Sequence, residues 1–171
     1  AVGLVTLIFN PRLRAALLAF LVGSAVLTHS LNSQYWAQFW EIQRSFWWQL
    51  AWRAPALEDG TLLMPRLPAG YGLAEDYEVF SPANLLYHPE EKALRIHGEV
   101  LNDSTALLLI SQNPKSYRYI RFFELERDFR NALIIDWPTA DSCAHFLDGN
   151  QPELTAKADA LLYLVAPYSH I

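Results

Sequence analysis

The chain has 171 residues, 52% of them hydrophobic and 18% charged, with a formal net charge of −5 and a single cysteine. Charge is unevenly spread: up to Trp52 the only formal charges are Arg12, Arg14, Glu41 and Arg44, whereas from Arg53 onward 17 acidic side chains outnumber 10 basic ones. The acidic body excludes a nucleic-acid footprint, which needs clustered Lys and Arg to displace phosphate counterions. The lone Cys143 excludes an intrachain disulfide and a multi-cysteine metal site.

Ala1–Phe9 is apolar and reads as the end of a truncated helix. Asn10-Pro11-Arg12-Leu13-Arg14 interrupts it with a turn former and two cations, and no Asp, Glu, Lys or Arg follows from Ala15 to Trp40. A bilayer crossing needs about 20 largely apolar residues at about 1.5 Å of rise each. Residues 13–31 meet that requirement as a transmembrane helix, with Ala15–Leu31 its uncharged part. A buried core helix and a signal peptide share this composition. Against the signal peptide stand the apolar segment before the arginines and the lack of a small-x-small cleavage site. The positive-inside rule then places Arg12 and Arg14 in the cytoplasm and everything after Leu31 outside.

Residues 32–53 have helical spacing, and Trp36, Phe39, Trp40, Phe46, Trp47 and Leu50 fall on one face. Gln34, Gln38, Glu41, Ser45 and Gln49 fall on the other, with Trp48 and Trp52 towards that polar side. Trp36, Trp40, Trp47, Trp48 and Trp52 are therefore the expected membrane-interface or domain-docking residues. Indole joins a large apolar ring to one polar group, which suits either place. Trp48 and Trp52 are expected to touch the following domain, and Trp36, Trp40 and Trp47 to seat in the membrane. An unbroken helix from Leu13 to Arg53 spans about 60 Å, about twice the hydrocarbon thickness. Pro55 stops it.

Residues 54–171 are expected to form a small extracytoplasmic sheet-and-helix domain, of α/β or α+β class, around one core. Glu58-Asp59-Gly60 is a turn leading into a buried strand, Thr61–Met64, bounded by Pro65 and Pro68. Ser81-Pro82 should open a helix over Ala83–Tyr87 that His88-Pro89 closes. Leu94–Val100 reads as a strand. Thr105–Ser111 reads as a helix capped by Asp103 or Ser104, or as a buried strand. Tyr117–Leu125 and Ala132–Trp137, joined by the polar turn Arg127–Arg130, read as an antiparallel hairpin. Asn150 and Glu153 have capping-box spacing for a last helix with a Leu154, Ala158, Leu161, Leu162, Val165 stripe.

Chemistry-bearing residues are sparse. Asp141, Cys143 and His145 share a face if they lie on one strand, but nucleophile–base pairs normally come from distant segments, so Cys143 is expected to be a core residue. Glu75, Asp76 and Glu78 form an acidic cluster without EF-hand spacing and read as a solvated loop. Lys115, Arg118 and Arg121 are candidates for a phosphate or headgroup, and Asn102-Asp103-Ser104 fits both a glycosylation acceptor and a helix cap. No phosphate-binding glycine loop, nucleophile elbow or HExxH is present. No catalytic residue, cofactor or metal is assigned.

Trp48-Gln49-Leu50-Ala51-Trp52-Arg53-Ala54-Pro55 with Gly60-Thr61, and Leu133-Ile134-Ile135 with Pro138, Ser142-Cys143 and Leu147-Asp148-Gly149, resemble the C-terminal part of uncharacterised multi-pass bacterial membrane proteins. Those are similar in layout to glycosyltransferases that use lipid-linked sugars. The resemblance implies a bacterial cytoplasmic membrane, an outer soluble domain and, for an enzyme, an active site upstream. It carries over no functional residue. The leading expectation is a membrane-anchored recognition or scaffolding domain whose partners are the bilayer and a lipid-linked or cell-envelope ligand. The alternative is an accessory domain of a glycosyltransferase-like enzyme.

Overall fold

The computed structural model describes residues 10–68, 75–90, 95–111, 116–120, 123–150 and 159–170. The chain divides into two units, Ala1–Gln43 and Arg44–Ile171. Helix α1, Pro11–Arg53, contributes to both. Its start is capped by Asn10, whose side chain accepts from the Arg12 and Leu13 amides at 3.0 and 3.3 Å. That leaves proline at the first helical position, where its missing N–H costs nothing. The expected truncated helix over 1–9 lies outside the described residues.

In the first unit Phe20, Val22, Val26, Leu27 and Leu31 of α1 are exposed. Among the described residues α1 is the one helix long and apolar enough to cross a membrane, and none of its apolar 18-residue window is buried.

The second unit is a mixed α/β domain. Its strands β1 (Leu62–Arg66), β2 (His97–Gly98), β5 (Ala132–Asp136) and β6 (His145–Phe146) form a sheet in the order β2-β1-β5-β6. β1 pairs parallel with both β2 and β5, while β6 runs antiparallel to β5. The β1–β2 pairing extends past the two residues of β2, because the Glu99 and Leu101 amides donate to Leu63 and Pro65 carbonyls, each at 2.9 Å. Helix α2 (Tyr77–Tyr87) joins β1 to β2. Helix α3 (Asp103–Ile110) and a separate hairpin of β3 (Ser116–Ile120) and β4 (Phe123–Arg127) lead on to β5. Helix α4 (Ala160–Val165) follows β6.

Both sheet faces are covered, so β1 and β5 read as continuous apolar runs rather than alternating ones. Leu62, Met64, Ala132 and Ile134 pack with Leu101, Ala106 and Leu109 of the α3 side and Leu162 and Val165 of α4. On the other face α2 lies close: a Cβ on Gly98 would sit 2.6 Å from the Phe80 nitrogen and 2.8 Å from the Val79 side chain. Only glycine admits that approach. Phe46 and Leu50, the last buried turns of α1, lie on this second side with Trp137, whose ring centroid is 5.5 Å from that of Phe46. Burying side chains of this size contributes about 1.5–3 kcal/mol each.

Several elements differ from expectation. Pro65 lies inside β1, not beyond it. Its carbonyl still accepts from Leu101, and only an N–H near the strand's end is forgone. α2 starts at Tyr77, with Pro82 inside it, because the buried Asp76 caps the helix at the Tyr77 amide. Burial of Val79, Phe80 and Ala83 offsets the hydrogen bond lost at Pro82. The leucine-rich run is a helix capped by Asn102, not by Asp103 or Ser104; Asn102 and Thr105 make the reciprocal capping box. The hairpin forms within 116–127, and Ala132–Asp136 instead pairs with β1. The turn at Gly60, φ 85°, and the stop at His88 are as expected. The last helix begins at Ala160 and is capped by Asp159, whose backbone is extended, not by Asn150; residues 151–158 lie outside the described residues.

Candidate functional site

β1 is central, and the chain leaves it on one side for β2 and returns on the other for β5. The carboxyl end of β1 is thus a topological switch point, the usual location of ligand crevices in open α/β sheets. Arg66 and Asp136 end β1 and β5, and Glu99 directly follows β2. Asp76 and Asp159 cap α2 and α4 there, and Arg127 ends β4.

These six side chains form two ion networks. Arg66 donates through Nε to Asp136 at 2.8 Å and through Nη1 to Asp159. Arg127 pairs with Glu99 and lies 3.8 Å from Asp76. The second network is nearly dry, with side-chain exposures of 8% for Arg127, 7% for Glu99 and 1% for Asp76. Burial pulls the Arg127 pKa down and the Asp76 charge works against it. For Arg66, burial also pulls down, but the hydrogen bond to Asp159 and the charges of Asp136 and Asp159 outweigh it and the net shift is upward. The helix amino ends of α2, α3 and α4 are capped by Asp76, Asn102 and Asp159. The switch point is therefore filled by the chain's own charged side chains, two arginines among four carboxylates. Among the described residues no group of three or more His, Cys, Asp or Glu side chains could hold a metal ion.

The Asp159 carboxyl is held below its ordinary 3.8, first by the hydrogen bond from Arg66 and also by the Leu161 amide, with burial opposing. A depressed folded pKa gives stability that is present above 3.8 and lost as pH falls through the lower folded value. Asp159→Asn should keep the cap but lose the Arg66 charge pairing. Its urea midpoint should lie below wild type at neutral pH, and the gap should close as the pH is lowered beneath 3.8. A gap of constant size across that range would refute the linkage.

At the opposite end of the sheet is a cleft of about 650 Å³. It lies between the Ala54–Thr61 segment and the amino ends of β1 and β5. The segment is held in place by the Tyr87 hydroxyl, which donates to the Ala54 carbonyl at 2.7 Å, and by the Gly60 amide, which donates to Arg95 O at 2.8 Å. Burial pushes the Tyr87 phenol up to about 12.

The last turns of α1 are clamped to the domain by polar bonds as well as by Phe46 and Leu50. The Gln49 side chain accepts from the Ala144 amide at 2.7 Å and donates to Ser142 O at 3.3 Å. Arg53 donates to Ala144 O, and Trp137 Nε1 donates to Ser142 O at 3.1 Å. This corrects the expected assignment of faces. Trp48 and Trp52, expected to touch the domain, are 58% and 77% exposed and stack on each other at 6.5 Å. Gln49, placed on the polar side, faces the domain. Trp47 is half-buried, and Trp36 and Trp40 are exposed.

Asp141, Cys143 and His145 are all exposed and do not share a strand, since β6 begins at His145. Cys143 is not a core residue: the turn closed by Ser142 on Thr139 and the Gln49 clamp on Ser142 and Ala144 bury Ala144 and leave its neighbour outside. Of the acidic cluster only Glu75 is exposed, Asp76 being buried and Glu78 half-buried. Lys115 and Arg121 lie outside the described residues, as does the Arg118 side chain. Asn102 serves its helix cap.

The reading of isolated motifs missed Arg66, Glu99, Arg127, Asp136 and Asp159. For Arg66 and Asp136 the usable signal is a charge that closes a short apolar strand run. No family model matches the chain, and comparison with curated proteins and with solved structures gives no match.

Proposed function

We propose that this chain is a membrane-anchored recognition module whose α/β domain lies outside the bacterial cytoplasm. The observation that carries the reading is the bare apolar surface of α1: an 18-residue window of spanning composition, none of it buried. Water is a poor partner for such a surface and lipid a good one. Arg12 and Arg14 supply the cytoplasmic anchor. Trp36 and Trp40, 59% and 61% exposed, supply aromatic side chains suited to the far interface.

The single cysteine makes sidedness measurable, because Cys143 is exposed. The full chain should stay in the membrane pellet after carbonate extraction, and a membrane-impermeant maleimide should label Cys143 in sealed cells. Release by carbonate would end the anchor reading, including when α1 acts as a cleaved signal sequence. Retention with labelling only after permeabilisation would reverse the orientation.

A further inference from the structure

We propose that the cleft beside Ala54–Thr61 binds a small amphipathic anion, an apolar body bearing one carboxylate or phosphate group. This deepens the recognition half of the proposed function and rests on it, but not on the membrane anchor. At about 650 Å³ the cleft falls within the range of small-molecule sites, about 300–1,000 Å³.

Its floor is apolar and reaches the sheet: Leu133 is 7% exposed where the next two residues of β5 are 0% and 1%. Phe146 and Leu57 extend that floor. The rim carries the charge selection. Arg53 is fixed by its bond to Ala144 O and makes no ion pair among the described residues. Asp59 is already engaged by Arg95 at 2.8 Å, and Glu58 makes no pair with Arg53. His170 also lines the cleft, its position set by its amide, which donates to Ala132 O at 2.8 Å. A guanidinium bonded to neither rim carboxylate, over an apolar floor, favours an anion with an apolar body. Because Tyr87 and Arg95 already fix the wall, binding requires little further ordering.

The test uses the full chain in lipid nanodiscs, titrated calorimetrically with 1-naphthoate, 1-naphthyl phosphate and uncharged 1-naphthol, with empty nanodiscs as blank. At least one anion should bind roughly tenfold or more tighter than naphthol. The tighter anion identifies the group as carboxylate or phosphate. Arg53→Gln should remove that preference while leaving naphthol unchanged. Ala56→Trp, a substitution at an exposed residue of the wall, should block all three probes without disturbing the core. Equal binding of naphthol and both anions, no binding at all, or anion binding indifferent to both substitutions would overturn the proposal. None of these readouts depends on whether α1 resists carbonate, so a failure here is distinct from a failure of the anchor.

Discussion

Arg127→Met should destabilise the domain by about 3–5 kcal/mol, because it takes the cation out of a buried ion pair. Glu99 and Asp76 sit at 7% and 1% side-chain exposure, and the Arg127 guanidinium pairs with the first and lies 3.8 Å from the second. Small domains are stable by only about 5–15 kcal/mol, so the variant should approach the unfolding threshold. One further measurement separates this mechanism from a simple loss of packing. Combining Arg127→Met with Glu99→Gln and Asp76→Asn should restore much of the loss, because the network's net value against neutral groups is small. An unfolding free energy from urea titration within about 0.5 kcal/mol of wild type for the single variant would show that the network contributes no more than an ordinary surface pair.

The same network shows where the sequence was legible and where it was not. Apolar runs, turns at Gly60 and stops at His88 are local signals, written within a few residues, and they were readable. The class of domain follows from them. Strand partners are not local. Ala132–Asp136 and Tyr117–Leu125 both favour strands, but whether they pair with each other or with distant segments depends on which faces become covered. The five buried residues of β5 are the mark of a strand covered on both faces. Asp76 looked like one of three solvated acids because nothing near it in sequence announces Arg127. Pro82 looked like a helix start because it favours the first turn, whereas packing of Val79 and Phe80 against the sheet carried the helix past it. Tertiary burial outweighed local preference in each case.

Phe46→Ala should cost the domain about 3–5 kcal/mol, whereas Trp52→Ala should change its stability by no more than about 0.5 kcal/mol. Both residues are large aromatics six positions apart on one helix, so composition cannot tell them apart. At about 100° per residue they point roughly 120° apart. Phe46 is 2% exposed and packs on Trp137, which is itself fully buried, while Trp52 is 77% exposed. Removing the Phe46 ring opens a cavity beside Trp137 and Leu50 that the surrounding sheet cannot easily close. Trp52 forfeits its stack with Trp48 and little buried surface. A double-mutant cycle between Phe46→Ala and Trp137→Leu should report about 0.5–1.5 kcal/mol of coupling, and one between Trp52→Ala and Trp137→Leu none beyond error. Gln49→Ala should fall between the extremes, at about 1–3 kcal/mol, because it leaves the Ala144 amide without its acceptor. Denaturant unfolding of the full chain in nanodiscs, followed by near-ultraviolet circular dichroism, measures all of these. If Trp52→Ala loosened the domain as much as Phe46→Ala, the outward face of the helix would have to be its docking face, and the Gln49 and Arg53 clamp could not hold as described.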